Sequence, residues 1–132
     1  MTITKGYKQL IAEARTKIRT ISTVEAKAKL EDPNVLFVDI RDVRELEREG
    51  MIPNAFHAPR GMLEFWVDPE SPYHKEIFSS GKEFVLYCQS AWRSSLATLA
   101  LQEMGLTPIC HVEGGFKAWK EAGLPTAEKT SH

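Results

Sequence analysis

The chain predicts an α/β fold: a mainly parallel central sheet flanked by helices, with an extra helix at its N-terminal end. Val35–Val38 and Phe84–Tyr87 are unbroken apolar runs rich in β-favouring residues, as strands buried on both faces are. Pro108–Val112 reads as a further strand. Segments with apolar residues at helical spacing separate these runs, and strands that alternate with helices build parallel sheets covered on both sides.

In chain order, Tyr7, Leu10, Ile11, Ala14 and Ile18 fall on one helical stripe, which predicts an amphipathic helix over Thr4–Lys17. It either packs on its own domain or joins two copies of the chain. Ser22 followed by Glu25 forms a capping box for a short helix through Leu30, which must end before Pro33. Asp32-Pro33-Asn34 is a turn. Val35–Val38 then delivers Asp39 and Arg41 to the carboxyl edge of the sheet, where open α/β sheets bind ligands. Asp39 reads first as a helix cap or loop carboxylate, and compatibly as a carboxylate that holds Arg93 or the loop amides in place. Asp42–Arg48 is a short charged helix whose alternating charges suit a solvated face, and Gly50 stops it. Two prolines limit the Met51–Pro59 connector to a short strand near Phe56, and Arg60 follows at the expected mouth of the site. Met62–Phe78 reads as a helical excursion, broken at Asp68-Pro69, with Ser71-Pro72 opening a second short helix that could act as a lid. Its large aromatic residues belong to the core by their size.

The chemistry gathers at Glu83–Met104, where strand Phe84–Tyr87 exits into Cys88. Ser94 and Ser95 offer cap chemistry, and Leu96, Leu99, Ala100 and Met104 continue as a helix until Gly105. The loop Cys88-Gln89-Ser90-Ala91-Trp92-Arg93 therefore curls into a helix start, which aims several N–H groups at one point. Such a field, with Arg93 beside it, favours the thiolate, which is the reactive form of cysteine. Packing at a strand end is the competing role for a lone cysteine. After the helix, Gly114-Gly115 lets the backbone approach a neighbour closely, and Phe116 and Trp119 lie on a last helix ending at Gly123. Cys110 lies inside its strand and reads as packing.

At 132 residues, 42% hydrophobic and 27% charged, the composition is that of one domain. A formal net charge of −1 gives no electrostatic footprint for nucleic acid. The N-terminal residues carry no apolar targeting core, and no apolar run is long enough to span a bilayer, so a cytoplasmic protein is expected. Two cysteines without metal-ligand or disulfide spacing fit a reducing compartment. His57, His74, His111 and His132 share no metal-ligand spacing and are assigned no catalytic or metal role.

Val38-Asp39-Ile40-Arg41, the Gly50–Pro59 segment, the Cys88 loop running into Arg93-Ser94, and Glu113–Trp119 followed by Gly123-Leu124-Pro125 together resemble the signature blocks of a single-domain rhodanese. The resemblance spans residues 21–125, with 1–20 as a helical extension and 126–132 as a frayed tail. It implies the rhodanese-like three-layer fold and sulfur transfer: Cys88 attacks a sulfane-sulfur donor such as thiosulfate, carries the sulfur as a persulfide and passes it to cyanide or a thiol. It further implies that amides from Gln89 through Ser90, Ala91, Trp92 and Arg93 to Ser94 cradle the persulfide. Arg93 would hold an anionic donor, and Asp39 and Arg41 would order the loop. No metal or organic cofactor is implied, and the expected partners are a small sulfur donor and a thiol acceptor, small or protein-borne.

Two departures stand out. Ala91 occupies a place where the family usually has glycine, so it would resist a left-handed backbone there. The family's Gly-His-Ile-Pro-Gly block reads Gly50-Met51-Ile52-Pro53-Asn54. Trp92 at the loop's crest either selects substrate or folds onto the lid. Two other functions compete. A cysteine-dependent phosphatase uses a related loop with five residues between cysteine and arginine, whereas four stand between Cys88 and Arg93. A non-catalytic rhodanese-like binding module would have no need of Cys88.

Overall fold

A computed structural model describes residues 2–129. Its centre is a five-stranded sheet in the order β1-β5-β4-β2-β3, formed by Thr20–Ile21 (β1), Val35–Asp39 (β2), Phe56–His57 (β3), Glu83–Tyr87 (β4) and Ile109–Val112 (β5). Every pairing between them is parallel. The two apolar runs read from the sequence, β2 and β4, are the central neighbours, paired from Val35 with Glu83 to Asp39 with Tyr87. Parallel strands need crossovers, and among the described residues six α-helices supply the cover: Tyr7–Arg15 (α1), Thr23–Ala28 (α2), Val43–Glu49 (α3), Leu63–Val67 (α4), Trp92–Glu103 (α5) and Gly115–Glu121 (α6).

Alternation along the strands splits the core in two. Val38, Phe84 and Leu86 face one side, where they pack with Leu63, Val67, Phe78, Ala97 and Leu101. Phe37, Val85 and Tyr87 face the other, where they meet Ala26, Phe116 and Trp119. Cys110 lies in this second cluster, as its mid-strand position suggests, and burial pushes its thiol pKa up to about 11.

The local signals are met at several ends. Ser22 and Glu25 form the reciprocal capping box on α2, and Gly50 terminates α3. Asp42 and Glu45 form a second capping box at the start of α3. Elsewhere the structure departs from the pattern. α1 is shorter than Thr4–Lys17 and begins after Gly6. It packs against α5 of its own domain, burying Ala14 while Tyr7 and Leu10 stay half exposed. No helix opens at Ser71-Pro72; the Ser71 hydroxyl instead accepts the Tyr73 N–H in a tight turn, and one helical turn follows at Glu76–Ser79. The Met62–Phe78 excursion is no lid over Cys88: Leu63, Val67 and Phe78 sit in the core, with the Phe78 ring stacked on Phe84. Ala127, expected in a frayed tail, pairs in an antiparallel bridge with Met51, while 130–132 lie outside the described residues. No helix among the described residues is long and apolar enough to cross a membrane.

Candidate active site

β4 ends at Tyr87 and α5 begins at Trp92, so the joint is a loop of four residues beginning at Cys88. The helix starts three residues earlier than a cap at Ser94 would place it. Ala91, not Ser94 or Ser95, stands at the cap position, with φ 67° and ψ 6° in the left-handed region. This is the conformation an alanine resists, and it is held by the buried turn that follows: the Ser95 N–H and hydroxyl both donate to the Ala91 carbonyl, at 3.2 and 2.6 Å. Ala91→Gly should therefore stabilise the fold by about 1 kcal/mol, since glycine adopts this φ without the β-carbon clash. A higher midpoint in denaturant with an unchanged slope is the expected result.

The early helix start brings Ser94 under the sulfur. Its backbone N–H donates to Cys88 Sγ at 3.3 Å. Trp92 and Arg93, as first-turn residues, also carry N–H groups that the helix itself cannot satisfy. Cys88, Gln89, Ser90, Trp92 and Arg93 line a hollow of about 200 Å³ above the sulfur. Cys88 as a whole residue is 1% exposed, so access to Sγ is confined to this opening. From the far side, α6 clamps the loop: the N–H groups of Phe116 and Lys117 donate to the carbonyls of Cys88 and Gln89 at 2.8 and 3.1 Å. The close approach expected at Gly114-Gly115 is thus to the peptides of Cys88 and Gln89.

Asp39 and Arg41 reach the loop through Gln89 and not through Arg93. Both are fully buried and bound to each other, with Arg41 Nη2 2.7 Å from Asp39 Oδ2 and Nε 3.0 Å from Oδ1. Burial opposes the Arg41 charge, but the Asp39 carboxylate more than compensates and holds its pKa above the ordinary value. Arg41 Nη1 then donates to Gln89 Oε1 at 3.1 Å, and Nη2 to the Gly50 carbonyl at 2.8 Å. Its guanidinium lies 4.3 Å from the Phe116 ring centroid, linking the loop, α6 and the end of α3.

Arg93 has a different partner, Glu45 of α3. The contact is bidentate, Nη1 to Oε1 at 2.7 Å and Nη2 to Oε2 at 3.0 Å. The hydrogen bond from Arg93 lowers the Glu45 pKa and, reciprocally, raises that of Arg93. The charged face of α3, read as solvated, therefore includes a site residue. Arg60 is absent from the lining of the hollow; its guanidinium pairs with Glu64 at 3.1 Å. Trp92 is 56% exposed and packs on Tyr7 of α1, with ring centroids 5.0 Å apart, so the N-terminal helix reaches the rim of the site.

His111 supports the loop from below. It is fully buried on β5, its Nδ1 shares a hydrogen bond with Ser94 Oγ at 2.8 Å, and its Nε2 shares one with Thr20 Oγ1 at 2.9 Å. Burial first, and the charge of Arg15 second, push its pKa from 6.5 down to about 4. The native state therefore refuses a proton that the unfolded chain accepts. Stability should fall as pH drops from about 6.5 to about 4 by as much as ~3 kcal/mol, and level off below. Denaturation at several pH values should show this loss, and His111→Gln should flatten it.

A parallel α/β sheet carries a buried cysteine at the exit of its central strand, wrapped by a short loop that becomes a helix N-terminus, which is where open α/β sheets place their ligand sites. The model of the rhodanese-like domain matches residues 22–122, and the chain belongs to that family. Among curated relatives, it is 33% identical over 92 residues to a sulfurtransferase of Allochromatium vinosum, covering 70% of this chain and 78% of that protein. An uncharacterized Synechocystis protein is 39% identical over 94 residues, 71% of this chain, but the match spans only 48% of that longer protein. Among solved structures, a Rhodopseudomonas palustris protein of unknown function, described as a possible tyrosine phosphatase, is 50% identical, with TM-score 0.93 over 96% of this chain and 98% of that one. The polysulfide-sulfur transferase homodimer of Wolinella succinogenes is 31% identical, with TM-score 0.70 over 96% of this chain and 90% of that one. The fold is thus the rhodanese-like one, and the named relatives include sulfurtransferases.

Proposed function

We propose that the protein is a sulfurtransferase that carries sulfane sulfur on Cys88 and delivers it to a thiophilic acceptor. The observation that carries this reading is the seat of the sulfur: Cys88 Sγ receives the Ser94 N–H at 3.3 Å at the floor of a hollow of about 200 Å³. In the first half-reaction the Cys88 thiolate attacks the outer sulfur of the donor. A new S–S bond forms, the donor's S–S bond breaks, and the leaving group departs with the electron pair, as sulfite if the donor is thiosulfate. In the second, a thiolate or cyanide attacks the outer sulfur of the persulfide and Cys88 leaves as thiolate. Both steps are exchanges at divalent sulfur and need neither metal nor organic cofactor. The N–H groups at the start of α5 would hold the added sulfur, and Arg41, fixed by Asp39, keeps Gln89 and the loop in place.

The acceptor is a thiol, small or protein-borne, or cyanide. The free thiols of Cys88 and Cys110 suit the cytoplasm. The protein acts as a monomer or as a homodimer joined through α1, whose Tyr7 and Leu10 keep exposed apolar surface.

The phosphatase reading has the Rhodopseudomonas palustris structure in its favour, but the loop argues against it. A phosphoryl group needs a ring of amides and a guanidinium free to grip two of its oxygens. Here only four residues separate Cys88 from Arg93, which leaves a smaller ring of amides, and the Arg93 charge is already paired with Glu45. Parallel assays decide between them. Thiocyanate release from a sulfur donor plus cyanide, with no phosphate release from an aryl phosphate, is the expected result; the reverse would replace sulfur transfer with phosphate hydrolysis.

A further inference from the structure

We infer that Glu45 is a donor-specificity residue, which tunes this site for a neutral organic hydropersulfide and against an inorganic dianion; the inference rests on the sulfurtransferase reading above. Arg93 is the one charged residue among those lining the hollow over Cys88. Its charge is already paired with the Glu45 carboxylate through both terminal nitrogens, which weakens its pull on an incoming anion. Arg41, the other guanidinium bonded to the loop, is fully buried and spent on Asp39, Gln89 and the Gly50 carbonyl. The Gln89 amide in turn donates to Glu49 at 3.4 Å. Each guanidinium around the loop is paired with a carboxylate, Arg41 with Asp39, Arg93 with Glu45 and Arg48 with Glu49 at 3.8 Å, so the set holds no surplus positive charge for a dianion. A dianion entering so small a hollow gives up water and finds its natural counter-charge already neutralised.

An organic hydropersulfide meets no such barrier. In the reactive form R–S–S–H, the Cys88 thiolate forms a bond to the outer sulfur, the R–S bond to that sulfur breaks, and R–S⁻ departs with the electron pair while the transferred sulfur keeps its proton. The donor approaches uncharged, and its organic part needs an apolar rest. Trp92 and Tyr7, packed on each other and 56% and 49% exposed, provide one at the rim.

The test uses the full chain with two donors, thiosulfate and N-acetylcysteamine persulfide, whose only ionisable group is the persulfide itself. Glu45→Gln removes the charge while keeping a side chain that can still close the capping box with Asp42. Wild-type protein should show the higher kcat/KM with the organic donor. In Glu45→Gln the ratio of thiosulfate to organic-donor kcat/KM should rise about tenfold, and the gain should shrink with added salt, as a freed arginine requires. Trp92→Ala, at an exposed position, should raise KM for the organic donor at least about fivefold more than for thiosulfate. A preference of the wild type for thiosulfate, or a donor ratio in Glu45→Gln within twofold of wild type, would overturn the inference while leaving sulfur transfer standing. Loading of Cys88 by neither donor, read by intact mass, would remove the underlying reading and this one with it.

Discussion

Cys88→Ser should fold normally and lose sulfur transfer by a factor on the order of 10⁴ or more, the scale seen when a covalent nucleophile is removed. The substitution is nearly isosteric, and the serine oxygen can accept the Ser94 N–H as Sγ does. What it lacks is a polarizable anion: a hydroxyl is a poor nucleophile toward divalent sulfur, and no neighbouring base is bonded to it. The buried second cysteine cannot substitute, because Cys110 lies in the other core cluster with its thiol pKa pushed up to about 11. An unchanged denaturation midpoint with no thiocyanate formed is the expected pair of results. Residual turnover near the wild-type level would show that the sulfur is carried elsewhere.

Gly115→Ala should have the second largest effect, and on stability as well as rate. Gly115 has φ +62°, and a β-carbon there would lie 2.5 Å from the Cys88 carbonyl oxygen and 2.7 Å from that of Gln89. These are backbone atoms, so relief requires moving the loop itself. The loss should be about 3 kcal/mol or more, combining left-handed strain with overpacking. Displacing the carbonyls from the Phe116 and Lys117 amides shifts the sulfur as well, and a misplacement near 1 Å can cost about a hundredfold in rate. Gly123→Ala is the matched control: its φ is +72°, but nothing lies within 4 Å of the added carbon. That variant should lose only ~1 kcal/mol and little activity. Equal effects of the two substitutions would mean that α6 does not position the loop.

The reach of sequence reading follows from which signals are local. The two central strands announce themselves because burial on both faces requires unbroken apolar runs, and the Ser22–Glu25 box because its partners are three residues apart. Cys88 is legible as the candidate site because strand, loop and helix are contiguous. β1 escapes notice, since two edge residues, Thr20 and Ile21, carry no period. The true partners of the loop are equally invisible to any local window. Glu45 looks like one charge among many on a solvated helix until the fold sets it against Arg93, 48 residues away. His111 resembles a strand residue of no consequence, yet its ring links Ser94 to Thr20 across the sheet. Asp39 and Arg41 show the intermediate case. Their place beside the site follows from the strand that carries them, but their pairing with each other, and through Arg41 with Gln89, is a property of the packed core.

The most direct test is the intact mass of the protein after incubation with a sulfane-sulfur donor and removal of excess reagent. The account predicts a species heavier by one sulfur atom, mapped to the Cys88 peptide, discharged by cyanide or thiol, and absent from Cys88→Ser. A protein that stays at its starting mass with thiosulfate and with an organic persulfide alike, or that carries the added atom on Cys110, would contradict it.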